Sequence, residues 1–148
     1  PWYTTEFGQE YMENREKAMH ILQEESELNE IVRLVGIDAL SPSDRLTMET
    51  AKSLREDFLQ QNAFSDDDAY SSYGKQFKLL DLILRYDTYC RDALDRGADM
   101  KAMFAIDARE EVGRAKVADP EKYAEIYNEI DIKMKEQIEK VVEESAEE

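Results

Sequence analysis

Apolar residues recur along most of the chain at intervals of three and four, separated by charged residues that would face solvent. This spacing predicts about five helices, over 11–35, 41–61, 73–95, 99–115 and from 119 onward, the last of which should fray over 143–148. The third helix has the widest apolar face, so we expect it to lie near the centre of a bundle. Its inward positions are Phe77, Leu79, Leu80, Leu82, Ile83, Leu84, Tyr86 and Leu94.

Local signals mark where the helices begin and end. Gly36 is placed to end the first helix in a left-handed conformation, and Ser41 followed by Pro42 is a helix start. The connection over 37–40 is short, so we expect the first two helices to pack as an antiparallel hairpin. Asp119 followed by Pro120 is a second helix start, and a loop over 62–72 should separate the second helix from the third.

The composition supports one all-α domain over residues 1–148. Five glycines and three prolines in 148 residues leave little turn material for a β fold, while 42% hydrophobic residues suffice for a single core. The predicted architecture is a helical bundle of about five helices with an antiparallel helix hairpin at its centre. Because the sequence opens on Pro1 and not on Met, we expect a piece of a longer chain.

The net charge of −16 narrows the classes of partner. Nucleic acid binding needs a basic footprint that this sequence lacks, and anionic lipid is disfavoured for the same reason. A basic protein partner remains compatible with the charge. A single cysteine, Cys90, excludes an internal disulfide and indicates a reducing compartment, and no apolar run is long enough for direct membrane insertion.

No catalytic or metal-binding pattern stands out. The sequence contains neither a phosphate-binding glycine loop nor a glycine-flanked nucleophile, so His20 is better explained as a structural histidine than as part of a hydrolase triad. One His and one Cys cannot close a zinc site without carboxylates. The run Asp66-Asp67-Asp68 could hold a hard cation, but it lacks the spacing of a calcium loop and fits a helix-capping acidic run better. We expect no catalytic residue and no metal site in this chain.

Two aromatic residues in the 62–72 loop leave two interpretations open. Phe64 and Tyr70, next to Gln61 and Asn62, could form a slot in which a flat ring stacks. Alternatively, both rings fold back onto the helix ends as part of the core, which the pattern alone favours.

The sequence of residues 22–64 resembles the C-terminal domain of the catalytic A subunit of archaeal (A-type) and vacuolar-type rotary ATPases. The most specific segments are EIVRLVG at 30–36 and REDFLQQNAF at 55–64, and GKQFKLL at 74–80 is consistent but weaker. The NAF ending at 62–64 is closer to the archaeal version than to the eukaryotic one. Beyond about Cys90 only helical character is evident.

The resemblance implies that the P-loop, the Mg-binding residues and the catalytic Glu lie in domains upstream of Pro1. The full subunit would then bind ATP or ADP with Mg and act as an ATP hydrolase or synthase, whereas this fragment would not be an enzyme and would bind no cofactor tightly. It also implies an adenine pocket in this chain, lined by Gln61, Asn62, Ala63, Phe64 and Tyr70.

The same resemblance implies contact with the rotating central stalk through the loop after the first helix. The residues at that position are Asp38, Ala39, Leu40, Ser41, Pro42, Ser43 and Asp44. The implied partners are the B subunits of the hexameric head and the central-stalk subunit, in a cytoplasmic complex peripheral to the cell membrane. The acidic composition leaves one alternative, a freestanding helical adaptor that binds a basic protein.

Overall fold

The computed structural model describes the backbone of residues 6–59 and 69–147, and the side chains of 8–59 and 74–147. All regular structure in these ranges is helical, which confirms the all-α prediction. The α-helices are α1 (Glu6–Val35), α2 (Pro42–Ser53), α3 (Ala69–Asp95), α4 (Met100–Phe104), α5 (Asp107–Arg114) and α6 (Tyr123–Ala146). Two 3₁₀ turns, Ile37–Ala39 and Ala115–Val117, and a π-helix, Leu54–Leu59, complete the described elements.

The first two helices pack against each other, which is compatible with the predicted hairpin. Gly36 ends α1 with φ 91°, but its ψ of 162° is extended and not the left-handed helical value that was predicted. Its N–H donates to the Val32 carbonyl at 2.9 Å. The guanidinium of Arg55 binds both carboxylate oxygens of Glu25, at 2.6 and 3.1 Å. These two residues lie equally far along the sequence from Leu40, which is the pairing expected when the chain reverses there and runs back antiparallel.

Helix α3 organises the bundle, as the width of its apolar face predicted. It packs against α1, α2, the π-helix, α5 and α6. Its inward residues fill the core together with one stripe of α6, which consists of Tyr127, Ile130, Met134, Ile138 and Val141. The α1–α2 hairpin therefore lies against a helix that is itself held on its other side by α5 and α6.

The segment predicted as one helix over 99–115 is two helices. Asp99 caps α4 through its carboxylate, which accepts from the Ala102 N–H at 2.9 Å. At Ile106 the backbone is extended (φ −66°, ψ 147°), and the side chain is buried. Helix α5 then begins at Asp107, and the Ala108 N–H donates to the Gln137 side chain of α6 at 2.9 Å. The local pattern favours a continuous helix here, and the contact with α6 stabilises the break instead.

Both ends of the last helix differ from the prediction. Asp119 and Pro120 form a turn and not the helix start, because the Asp119 carboxylate accepts from the Glu121 N–H at 2.8 Å and its carbonyl accepts from the Lys122 N–H at 2.9 Å. Fraying was expected after about 143, yet α6 continues to Ala146. The Ser145 hydroxyl accepts from the Asp99 N–H at 2.9 Å, which ties this end to the start of α4.

Two further boundaries differ from those that the local signals predicted. Helix α3 begins at Ala69, so the predicted loop over 62–72 is wrong for its last four positions. The second helix was predicted as one regular α-helix to about 61, but it widens into the π-helix from Leu54. Within the described part of the chain, no helix combines the length and the apolar character needed to cross a bilayer.

Candidate functional site

The outer end of the α1–α2 hairpin, which we call the tip, exposes a cluster of apolar side chains. Leu34 is 81% exposed, Val35 67%, Ile37 50% and Ile31 42%. Ile31 and Val35 follow the helical spacing of the apolar positions of α1, yet the structure leaves both exposed. The run IVRLVGI has more apolar positions than one helix face can bury, and this crowding was the available signal for an exposed patch.

The tip is held in a fixed conformation by its own hydrogen bonds. Ser41 caps α2, since its hydroxyl accepts from the Asp44 N–H at 3.1 Å, as the Ser-Pro signal predicted. On the other side of the turn, Arg45 pairs with Asp38 at 2.8 Å and donates to the Ile37 carbonyl at 3.4 Å. The apolar cluster is therefore presented on a braced turn and not on a long loop.

The residues predicted to contact the stalk differ in their exposure. Asp38 is fully accessible at its carboxylate, apart from the ion pair with Arg45. Leu40 points into the protein and is only 7% exposed, so it cannot form part of a contact surface in this conformation. Asp44 is half-buried, and the remaining positions are exposed: Ala39, Ser41, Pro42 and Ser43.

A polar seam joins α2 to α3 behind the tip. Arg91 donates to Thr47 at 2.8 Å, to Ser43 at 3.1 Å and to Asp87 at 2.9 Å, and Thr50 donates to Asp87 at 2.6 Å. Thr47 and Thr50 are almost fully buried. Directional bonds of this kind can be satisfied in only one register, so the seam fixes how the hairpin sits on α3.

A second polar cluster holds the π-helix near the 60–68 segment. Asp57 is 7% exposed; it accepts from Ser53 at 2.9 Å and lies 3.7 Å from the guanidinium of Arg109. Arg109, from α5, also donates to Glu49 of α2 at 3.0 Å. Burial raises the pKa of Asp57, and the Ser53 hydrogen bond and the Arg109 charge only partly oppose that shift.

Most of the predicted adenine-pocket residues lie outside the described part of the chain. This applies to Gln61, Asn62, Ala63 and Phe64, and also to the acidic run at 66–68. Tyr70 belongs to the first turn of α3, where the backbone is described but the side chain is not. The adenine contact therefore stays a prediction. What the structure adds is the geometry of the elements on either side, the π-helix and α3.

The other reactive side chains have local structural partners. His20 is 70% exposed at its ring and pairs with Glu24 on the same helix at 2.6 Å. Cys90 is buried in α3, and burial raises the pKa of its thiol to about 12, which keeps it protonated and unreactive near neutral pH. Among the described residues, no three His, Cys, Asp or Glu side chains are grouped closely enough to hold a metal ion.

Residues 1–104 match the family model of the C-terminal domain of V and A type ATP synthase. The chain belongs to this family. It is 47% identical over 141 residues to the V-type ATP synthase alpha chain of Acetivibrio thermocellus, an alignment that covers 95% of this chain and 24% of that relative. It is 50% identical over 115 residues to the A subunit of the A-type ATP synthase of Methanosphaera stadtmanae, covering 78% of this chain and 20% of the relative.

The similarity to this family extends past the segment in which the sequence motifs were recognised. The A subunit of the A-type ATP synthase of Methanopyrus kandleri is 43% identical over 145 residues, or 98% of this chain and 24% of the relative. Beyond Cys90 the sequence motifs indicated only helical character. The alignment with this relative extends the similarity over α4, α5 and α6. The chain spans about a quarter of the length of these relatives or less.

Proposed function

We propose that this chain is the helical lever of a catalytic subunit in an A/V-type rotary, ion-translocating ATP synthase. In this proposal the upstream domains bind Mg-ATP or Mg-ADP and perform the chemistry, with the B subunits as neighbours in a head peripheral to the membrane. Closure of the nucleotide-binding domain moves the bundle as a rigid body, and the tip presses on the central stalk.

The observation that carries the proposal is the exposed apolar tip on a braced hairpin. Leu34, Val35 and Ile37 form a continuous stretch of sequence around Gly36, and all three are at least half exposed. Exposed apolar clusters rimmed by charge are typical of contact surfaces between proteins. Since Asp38 is paired with Arg45, steric and apolar contact explains this surface better than charge pairing with the stalk.

The second part of the proposal is the adenine contact. Phe64 would stack on the base, with Gln61, Asn62, Ala63 and Tyr70 around it. The described elements on either side support this role, since the π-helix ends at Leu59 and the central helix α3 begins at Ala69. A base-contacting segment placed there would report nucleotide occupancy to both the hairpin and the core of the bundle.

The test of the lever uses the full-length protein within its rotary complex, with Leu34→Asp and Val35→Asp combined. We expect ATP hydrolysis by the head to continue while ATP-driven ion transport per ATP falls several-fold, because two buried charges would oppose an apolar contact. Met19→Asp is the matched control: Met19 is 65% exposed on α1, about 22 Å from Leu34 at 1.5 Å per residue.

If the number of ions transported per ATP is the same in the Leu34→Asp, Val35→Asp variant as in the Met19→Asp control, the tip is not the contact surface. A freestanding adaptor, the alternative, predicts instead that the chain binds a basic protein in a salt-sensitive manner without any rotary complex.

A further inference from the structure

The second arm of the hairpin, which consists of α2 and the π-helix, is attached to the bundle by polar contacts at two separate places. Near the tip, Arg91 of α3 binds Ser43 and Thr47 in the first two turns of α2. Farther along the arm, Arg109 of α5 lies between two carboxylates. The two attachments therefore come from different helices and hold different parts of the arm.

Arg109 brings together two carboxylates that lie eight residues apart, about two helical turns. Its Nε donates to Glu49 at 3.0 Å, and a terminal guanidinium nitrogen lies 3.7 Å from Asp57. Ser53, halfway between them and on the same side of the arm, donates to Asp57 at 2.9 Å. The Arg109 side chain is only 13% exposed, so solvent screens these contacts less than at a free surface. We call Arg109, Glu49 and Asp57 the arginine clamp.

The guanidinium of Arg109 is also positioned by the central helix. It lies over the ring of Tyr86 in α3, 5.8 Å from the ring centroid, where a cation is attracted to the aromatic face. Tyr86 is itself fixed, since it is 2% exposed and its hydroxyl donates to the Met103 carbonyl at 3.0 Å. The guanidinium is therefore in contact with α2, the π-helix and α3 at once.

Helix α5, which carries Arg109, is fixed to α6 at both of its ends. At its start, the Ala108 N–H donates to the Gln137 side chain at 2.9 Å. Just after its end, the Ala115 carbonyl accepts from the Tyr127 hydroxyl at 2.7 Å. Both alanines are almost fully buried. A movement of the arm at the arginine clamp would therefore have to break the clamp or displace α5 from α6.

Two attachments that are separated along a helix resist a rotation that one attachment permits. If Arg91 held the arm alone, a force on the tip would rotate the arm about the polar seam. The buried side chains of Leu54 and Phe58 also hold the arm, but hydrophobic contacts are non-directional and oppose its separation from the core more than its rotation. A guanidinium fork binds carboxylates only in a narrow range of geometries, so the arginine clamp restricts the orientation of the arm.

We propose that Arg109 is a positioning residue that keeps the hairpin arm from rotating when the tip presses on the central stalk. This inference rests on the lever proposed above. It assigns a role in force transmission to α5 and α6, which lie outside the 1–104 range of the matched family domain. Arg109 does not touch the stalk; it acts through α2 and the π-helix.

The experiment uses the full-length protein in its rotary complex and measures the ions transported per ATP, without and with an opposing ion gradient. Without the gradient, Arg109→Met should hydrolyse ATP and transport ions as the unmodified complex does, because little force acts on the tip. Against the gradient, the ions transported per ATP should fall by about twofold or more, as expected when a coupling contact is lost. Arg109→Lys keeps the charge without the planar fork and should give an intermediate fall.

Two controls separate this role from loss of charge and from loss of stability. Arg114→Met removes one positive charge from an exposed position of the same helix and should leave transport against the gradient unchanged. Ile138→Ala leaves a cavity in the core of α6 while the arginine clamp stays intact, so the melting temperature should fall without a change in transport per ATP. A fall against the gradient in Ile138→Ala as large as that in Arg109→Met would overturn the positioning role.

Glu49→Met keeps the inference testable if Arg109→Met does not assemble. It removes one partner of the clamp with a side chain of similar length, and it should lower transport against the gradient in the same direction as Arg109→Met. Unchanged transport against the gradient in Glu49→Met and in every Arg109→Met complex that assembles would overturn the inference.

The tip variant, Leu34→Asp combined with Val35→Asp, separates this inference from the proposal beneath it. Adding Arg109→Met to the tip variant should lower transport per ATP little further, since the arginine acts through the tip. Unchanged transport in the tip variant, without and with the gradient, would overturn the lever and the arginine clamp together. A fall in the tip variant, with an independent and additive fall from Arg109→Met, would overturn the clamp alone.

Discussion

At the scale of single residues, the same apolar side chain has opposite roles in different places. Leu54, at the start of the π-helix, is 1% exposed and belongs to the core cluster, whereas Leu34 at the tip is 81% exposed. Both sit on helical segments with helical spacing, so periodicity alone does not distinguish them. The difference depends on which helix packs over each position.

Leu54→Ala should lower the free energy of unfolding by about 2–5 kcal/mol, because it leaves a cavity in the core. Leu34→Ala removes the same atoms from solvent-exposed positions and should change it by less than about 0.5 kcal/mol. Urea unfolding of the two variants beside the unmodified chain measures both values. A Leu34→Ala cost near that of Leu54→Ala would show that the tip is buried in solution.

At the scale of elements, glycine has a conformational role only where the backbone demands it. Gly36 and Gly97 end α1 and α3 with φ 91° each. Gly113 lies within α5, where a Cβ atom would meet the nearest Asp57 oxygen at 3.8 Å, an ordinary contact. The hairpin therefore depends on a glycine at its turn, whereas α5 does not depend on its own.

Gly36→Ala and Gly113→Ala should consequently change stability in opposite directions. At Gly36 the backbone (φ 91°, ψ 162°) lies in a region essentially restricted to glycine, so an added Cβ is strained there and we expect a loss of about 1–3 kcal/mol. At Gly113 alanine reduces the freedom of the unfolded chain, and we expect a gain of about 0.4–1 kcal/mol. The midpoints of urea unfolding give both signs, and two changes of equal sign would contradict the assignment.

At the scale of the whole molecule, ionic contacts between distant segments fix the hairpin to the rest of the bundle. Arg91 of α3 holds the first turns of α2, and Arg109 of α5 reaches Glu49 of α2 and Asp57 of the π-helix. The net charge of the molecule is −16, and these arginines bind carboxylates that would otherwise repel one another. The clusters give the proposed lever its stiffness.

The pH dependence of global unfolding should reveal the buried carboxylate of Asp57. Its folded-state pKa is raised above 3.8, so between that value and the folded pKa the native state binds more protons than the unfolded state. The penalty for burying the charge is complete above the folded pKa and is relieved as the pH falls through it. Asp57→Asn is neutral throughout, so its stability relative to the native chain should be highest near pH 7 and should decline toward about pH 4.

Chemical denaturation of both proteins at several pH values between about 4 and 7 measures this difference. A difference that does not vary with pH would mean that the pKa of Asp57 is the same in the folded and unfolded states. The expected direction is opposite to that of exposed, paired carboxylates such as Glu139, whose pKa the Arg96 guanidinium lowers.

The sequence by itself determined the all-α fold, the Gly36 and Ser41 signals on either side of the turn between α1 and α2, and the centre of the bundle. Helical spacing, the glycine at 36 and the Ser-Pro start at 41 are set by neighbouring residues, because they depend on hydrogen bonds and side-chain contacts within about one turn. For the same reason, the inward face of α3 could be predicted from its wide apolar stripe. The position of the hairpin turn followed from these local signals.

The tertiary structure alone decided which apolar residues of IVRLVGI remain exposed, where the chain breaks at Ile106, and how far α6 extends. It also brought Lys116 between Glu56 and Lys75, and Arg109 between Glu49 and Asp57. These contacts join residues that are tens of positions apart, and each depends on helices packed by others. Local patterns do not predict such pairings, because burial and long-range hydrogen bonding are properties of the assembled core and not of any one segment.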